Sequence, residues 1–168
     1  MPPTSKRSHC MTPWDFYHEF VLQNFWMFKE DRGSIFKAFN AAIAAFQLAD
    51  HFYKYLKKTR PDLVSVWRNY EEFLIHLGKI EPAFVTVQTI ATAYKHLYLY
   101  AAPHYEASSA GALRAITSRE LSFGNPDDDR EEYPPEKVVL KRKDGTTVEF
   151  YDCLRQVVNM WPKLLPPR

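Results

Sequence analysis

The 168-residue chain is 46% hydrophobic and 15% aromatic, with 12 Phe, 10 Tyr and 4 Trp. That supplies enough large side chains for one sizeable core and excludes disorder of the whole chain. A net charge of +2 is too small to mark a dedicated binder of nucleic acid or of an anionic membrane, and two cysteines, Cys10 and Cys153, make neither a disulfide framework nor a CxxC metal site.

The length fits one domain. Residues 1–11 read as a flexible tail, with Lys6 and Arg7 but no apolar run behind them, unlike a secretory signal. No stretch approaches the roughly 18 uncharged apolar residues of a membrane span. A cytoplasmic location without membrane contact is the resulting expectation, and residues 12–168 form the expected helical domain.

Thr12-Pro13-Trp14-Asp15 has the signature of a helix start: a capping hydroxyl, proline in the first turn and an acid facing the positive helix pole. This first helix should run to about Lys29, before Asp31-Arg32-Gly33. Ser34 caps a second, from Ile35 to about Thr59, with Lys57, Lys58 and Arg60 at its carbonyl end and Pro61 stopping it. Asp62 is the expected cap of a third helix, from Leu63 to about Leu77, with Gly78 in the C′ position. Glu81-Pro82 opens a fourth, running to about Ala101. Short breaks between these segments favour antiparallel neighbours in a bundle.

Residues 104–135 differ, with Ser108-Ser109-Ala110-Gly111 and the polar run Asp127 to Glu132 between prolines. They read as a mobile acidic loop, interrupted by a short helix from Leu113 to Arg119. Asp144-Gly145 between two β-prone runs then predicts a hairpin over about 137–150, its two-residue turn pairing Lys143 with Thr146 and Val139 with Phe150. A last helix from Tyr151 to about Trp161 should stop at Pro162. The fold class is mainly α: a four- to five-helix bundle with one β-hairpin before its C-terminal helix.

The chemistry centres on an anomaly. At about 100° per residue, Phe36, Phe39, Ile43, Phe46 and Tyr53 share one face of the second helix, with Asp50 in line. A parallel strip of Ile35, Ala38, Ala42, Ala45, Ala49 and Phe52 lies beside it, and its alanines suit close approach of another helix. Asp50 is therefore expected to be buried, and a buried carboxylate requires a partner. Lys95, at the edge of the fourth helix's stripe of Phe84, Val87, Ala91, Tyr94 and Tyr98, can reach towards it. Gln88, Thr92 and His96 make a separate polar line. Asp50, Lys95 and His96 are thus candidate catalytic residues, with Tyr53, Thr92 and Tyr94 candidates for binding.

A metal site would need His51, His76 and His96 to converge from three helices; no metal or cofactor is expected. GxSxG and glycine-rich phosphate loops are absent from the sequence. Lys141-Arg142-Lys143 at the hairpin tip is a small candidate contact for nucleic-acid phosphates. Trp26, with Leu22, falls outside the first helix's apolar arc of Trp14, Tyr17, Val21, Phe25 and Phe28, and an exposed Trp often marks an interface.

In size and four-helix opening the chain resembles the HEPN superfamily of bacterial helical bundles, many of them RNases or toxin and defence components. The ribonuclease members of that family carry a closely spaced Arg and His on a late helix. Here seven residues separate Arg68 from His76, on the third helix, and His96 has no suitably spaced Arg before it, so the resemblance covers architecture alone. The leading expectation is an interaction or scaffolding domain that self-associates or takes a protein partner. The alternatives are a hydrolase or HEPN-like nuclease around Asp50, Lys95 and His96, and small-molecule binding in the aromatic core.

Overall fold

The structure, a computed structural model, describes residues 11–95, 112–116 and 137–167, apart from the side chains of Tyr94, Lys95 and Ile116. Among them the chain forms six helices and a small antiparallel sheet, a mainly α fold. The expected tail (except Met11), the continuation of the fourth helix past Lys95 and nearly all of the acidic loop lie outside the described residues.

Helix α1 (residues 13–30) is α-helical over Pro13–Phe16 and Gln23–Glu30, with a π-helical segment at Tyr17–Leu22. Thr12 and Asp15 cap it reciprocally. Tyr17, Val21, Phe25 and Phe28 are buried, as the apolar spacing requires. Helix α2 (Ile35–Thr59) starts at the Ser34 cap, whose hydroxyl accepts from the Lys37 amide.

The expected third helix is two. α3 (Pro61–Val64) ends after one turn, and α4 (Tyr70–Ile80) restarts the chain. Asp62 does not cap; it pairs with Arg60 at 2.9 Å. Two local bonds explain the break. Ser65 Oγ donates back to the Asp62 carbonyl, and Asn69 Oδ1 accepts from the Glu72 amide as a fresh N-cap. Gly78 also moves from its expected place after the helix to one inside it. An added Cβ there would lie 3.0 Å from Val85 Cγ2, so the glycine serves close approach of α4 to helix α5 (Ala83–Lys95).

The expected helix at Leu113 is instead a strand. β1 (Leu113–Ile116), β2 (Lys137–Lys141) and β3 (Thr147–Glu149) form an antiparallel sheet with β2 central. An isolated helix of two turns closes too few hydrogen bonds to hold alone, whereas Leu113 paired opposite Leu140 gains a ladder along the strand. The hairpin register differs by one from expectation: Val139 pairs with Glu149 and Lys141 with Thr147. Arg142 and Thr146 close a three-residue loop, the Arg142 amide donating to the Thr146 carbonyl at 2.8 Å. Gly145, at φ +86°, supplies the left-handed residue such a loop requires. The shift frees Phe150 from the sheet to begin the last helix, α6 (Phe150–Leu164), fully buried.

Pro162 lies inside α6 rather than ending it. Proline has no N–H, so the Val158 carbonyl one turn earlier loses its usual helical donor. The Tyr17 hydroxyl donates to that carbonyl at 3.2 Å in a buried site. The π segment of α1 and the proline of α6 therefore dock on each other through one hydrogen bond. The Trp14 indole N–H adds a second link, donating to the Pro166 carbonyl.

The core lies between α2, α5 and α6, around Trp161, Phe84, Leu48, Val87 and Leu154, each at most 1% exposed. α5 is buried on nearly every side, Thr86 and Thr89 included. The loop joining α1 and α2 is stapled to the sheet: the Val138 amide donates to the Arg32 carbonyl at 2.9 Å, and the Arg32 guanidinium lies 3.6 Å from the Tyr151 ring centre.

Candidate functional site

Asp50 is not buried. Its side chain is 45% exposed and Oδ2 accepts from Lys54 Nζ at 2.7 Å. Of the two stripes on α2, the alanine strip takes the core: Ala38, Ala42, Ala45 and Ala49 are all 0% exposed. Small side chains let neighbouring backbones come closest there. This turns the Phe36–Tyr53 line onto the boundary, where Phe36 is 67% exposed, and the carboxylate reaches water. The side chain of Lys95, the partner expected on the fourth helix, lies outside the described ones; among the described side chains the partner of Asp50 comes from one turn along the same helix, an i,i+4 pair. Exposed as it is, that pair contributes about 0.3–0.5 kcal/mol.

Lys95 and Tyr94 are placed on α5 by their backbone only, and His96 lies outside the described residues. Thr92 is half-buried on α5. Tyr53 is half-buried and its ring lies 5.3 Å from that of Tyr70. Leu22 is half-buried against the core, whereas Trp26 is 48% exposed beside Met27 at 50%, with Lys29 Nζ 4.6 Å above its ring. α6 does not cover Trp26; it packs Tyr151 against Phe25 and Phe28. Lys141 and Lys143 are exposed at the hairpin tip with Arg142 half-buried between them. Arg68 pairs with Glu72, and the His76 ring packs on Trp67 at 5.3 Å. No set of three His, Cys, Asp or Glu among the described residues has metal-binding geometry.

Two surface depressions bring residues together. The larger, 490 Å³, is an apolar groove floored by Phe52, Leu56, Phe73 and Leu77. Its walls are Leu63, Val66 and Trp67 from α3 and the turn after it, Ile80 of α4, and Leu164, Pro166 and Pro167 at the end of α6. Arg60, Asp62 and His76 complete it. Leu63, Val66 and Ile80 are 43%, 71% and 45% exposed. The groove is not expected from a single helix continued through residues 65–69, where the chain in fact breaks. Asn69 three positions before Glu72 was the legible signal of a restart.

The smaller, 380 Å³, lies on the outer face of α2 and is lined by Phe16, Phe46, Gln47, Asp50, His51 and Tyr70. His51 Nε2 lies 2.9 Å from the Met11 carbonyl, and its ring stacks on Phe16 at 5.2 Å. Burial first, and the Asp50 charge second, raise the Tyr70 pKa well above the ordinary tyrosine value. The folded chain therefore holds the Tyr70 proton at a pH where the unfolded chain releases it. Stability is full below about pH 10 and falls as pH rises past it. In an alkaline titration followed by tyrosinate absorbance, one late-ionising tyrosine is expected to disappear in Tyr70→Phe.

Among the described residues no helix is long and apolar enough to cross a membrane. Compared with protein families, curated proteins and solved structures, the chain matches none of them.

Proposed function

We propose that this chain is an interaction domain that self-associates through the apolar groove. One observation carries the reading: the hole and the knobs that could fill it lie on one patch. Leu63, Val66 and Ile80 stand exposed at the wall of the groove floored by Phe52, Leu56 and Leu77. A twofold interface places one patch against its own copy, so it requires this kind of self-complementarity. Charge agrees, because Arg60 and Asp62 adjoin the same groove with opposite signs. Their pairing within the chain is exposed and contributes little. Exchanging it across a twofold axis therefore costs little.

Sedimentation velocity over a concentration series tests this. The expected result is a concentration-dependent dimer whose dissociation constant rises roughly thirtyfold or more in Val66→Glu, the loss typical of a central interface residue. A monomer at every concentration overturns the reading. A dimer indifferent to Val66→Glu but weakened by Trp26→Ala transfers it to the exposed Trp26–Met27 surface of α1.

A further inference from the structure

The cleft on the outer face of α2 has a chemistry that self-association does not use. Its lining joins one carboxylate, Asp50, to three aromatic rings, Phe16, Phe46 and Tyr70, with the polar side chains Gln47 and His51. Carboxylate plus rings is the combination that holds an organic ammonium. The charge attracts it, and the rings receive its methyl or methylene groups and add their own attraction for a cation.

The carboxylate already carries an ammonium. Lys54 Nζ sits 2.7 Å from Asp50 Oδ2 on a side chain that is 72% exposed, so the resident cation is a flexible arm in solvent that is readily displaced. Among the described residues the bond from Lys54 is made to Asp50 Oδ2 and none to Oδ1. The Tyr70 hydroxyl lies near enough to feel the Asp50 charge, which adds to burial in raising its pKa. A volume of 380 Å³ lies in the range of small-ligand sites.

We propose that this cleft binds a small organic ammonium, with Asp50 as counter-ion and Lys54 as an internal competitor that covers the carboxylate when the site is free. The competitor gives the proposal a signature that non-specific charge attraction lacks. Removing one positive charge from the protein raises the affinity for any cation only slightly, but removing this one frees the site itself.

The test is a titration of the full chain with choline, followed by amide chemical shifts, alongside its neutral isostere 3,3-dimethylbutan-1-ol. Saturable choline binding is expected, with shifts centred on Phe46, Gln47, Asp50, His51 and Tyr70 and a much weaker response to the alcohol. Lys54→Gln tightens choline binding several-fold, and Asp50→Asn weakens it about five- to tenfold, the loss of one nearby charge at the surface. Both side chains are partly exposed, so both variants keep the fold. Should Asp50→Asn not fold, Lys54→Gln alone decides. The proposal is overturned if choline does not saturate, if the alcohol binds equally well, or if Lys54→Gln leaves the affinity unchanged or lowers it.

Discussion

Replacing Trp161 with alanine is expected to destabilise the chain by about 3–5 kcal/mol, the range for emptying the site of a buried aromatic. The indole is 0% exposed and joins three elements. Its ring meets Phe52 of α2 edge-on at 6.2 Å and Phe84 of α5 at 6.4 Å. These rings are held by three different helices, so collapse onto the void would require α2, α5 and α6 to move together. Most of the cavity therefore stays open, which sets the cost near the upper end. Denaturant unfolding of Trp161→Ala measures it, and a loss under about 1 kcal/mol would contradict the packing described. Trp161→Phe should recover much of the difference. It also removes an indole N–H that is buried without a hydrogen-bond partner among the described residues, an unfavourable group in any interior.

Tyr17→Phe should cost about 1–3 kcal/mol, more than an ordinary hydrogen bond, because it leaves the Val158 carbonyl buried and unpaired. The size of the effect depends on Pro162. In a Pro162→Ala background residue 162 regains an N–H, the natural helical donor to that carbonyl. Tyr17→Phe should then cost distinctly less. The two substitutions are thus non-additive although they lie on different helices, and a double-mutant cycle reads the coupling directly. Equal cost of Tyr17→Phe in both backgrounds would show that the hydroxyl is not standing in for the missing amide.

Local rules made much of the helical frame legible. Thr12, Ser34 and Pro61 bound α1 and α2 where capping and proline chemistry place them. The spacing of Tyr17, Val21, Phe25 and Phe28 gave the buried face of α1. What escaped was decided between elements rather than within them. Leu113 to Ile116 has no strong local preference and becomes a strand because β2 offers it a ladder. The hairpin register turned on whether Asp144-Gly145 forms a two- or a three-residue loop, and both suit that dipeptide. Asp50 shows the same limit in the candidate site. Two adjacent stripes on α2 were both apolar enough to face inward, and the choice fell to the one with the smaller side chains. The Lys54 partner was readable from spacing alone. The groove was not, because its walls come from α3, the following turn, α4 and the end of α6, far apart in the chain.

The bonds from Tyr17 to Val158 and from Trp14 to Pro166 bear on the order in which a ribosome releases this chain. α1 is made well before α6, yet the surface that receives Tyr17, Phe25 and Phe28 includes α6. Until α6 emerges, α1 can pair with α2 but lacks the helix that closes its remaining apolar side. Such surface invites association before folding is complete, and long-range closure of this kind is slow because the intervening chain must first be ordered. The nascent protein thus carries an unfinished face on α1 while everything between α1 and α6 is made, and the emergence of α6 is what covers it.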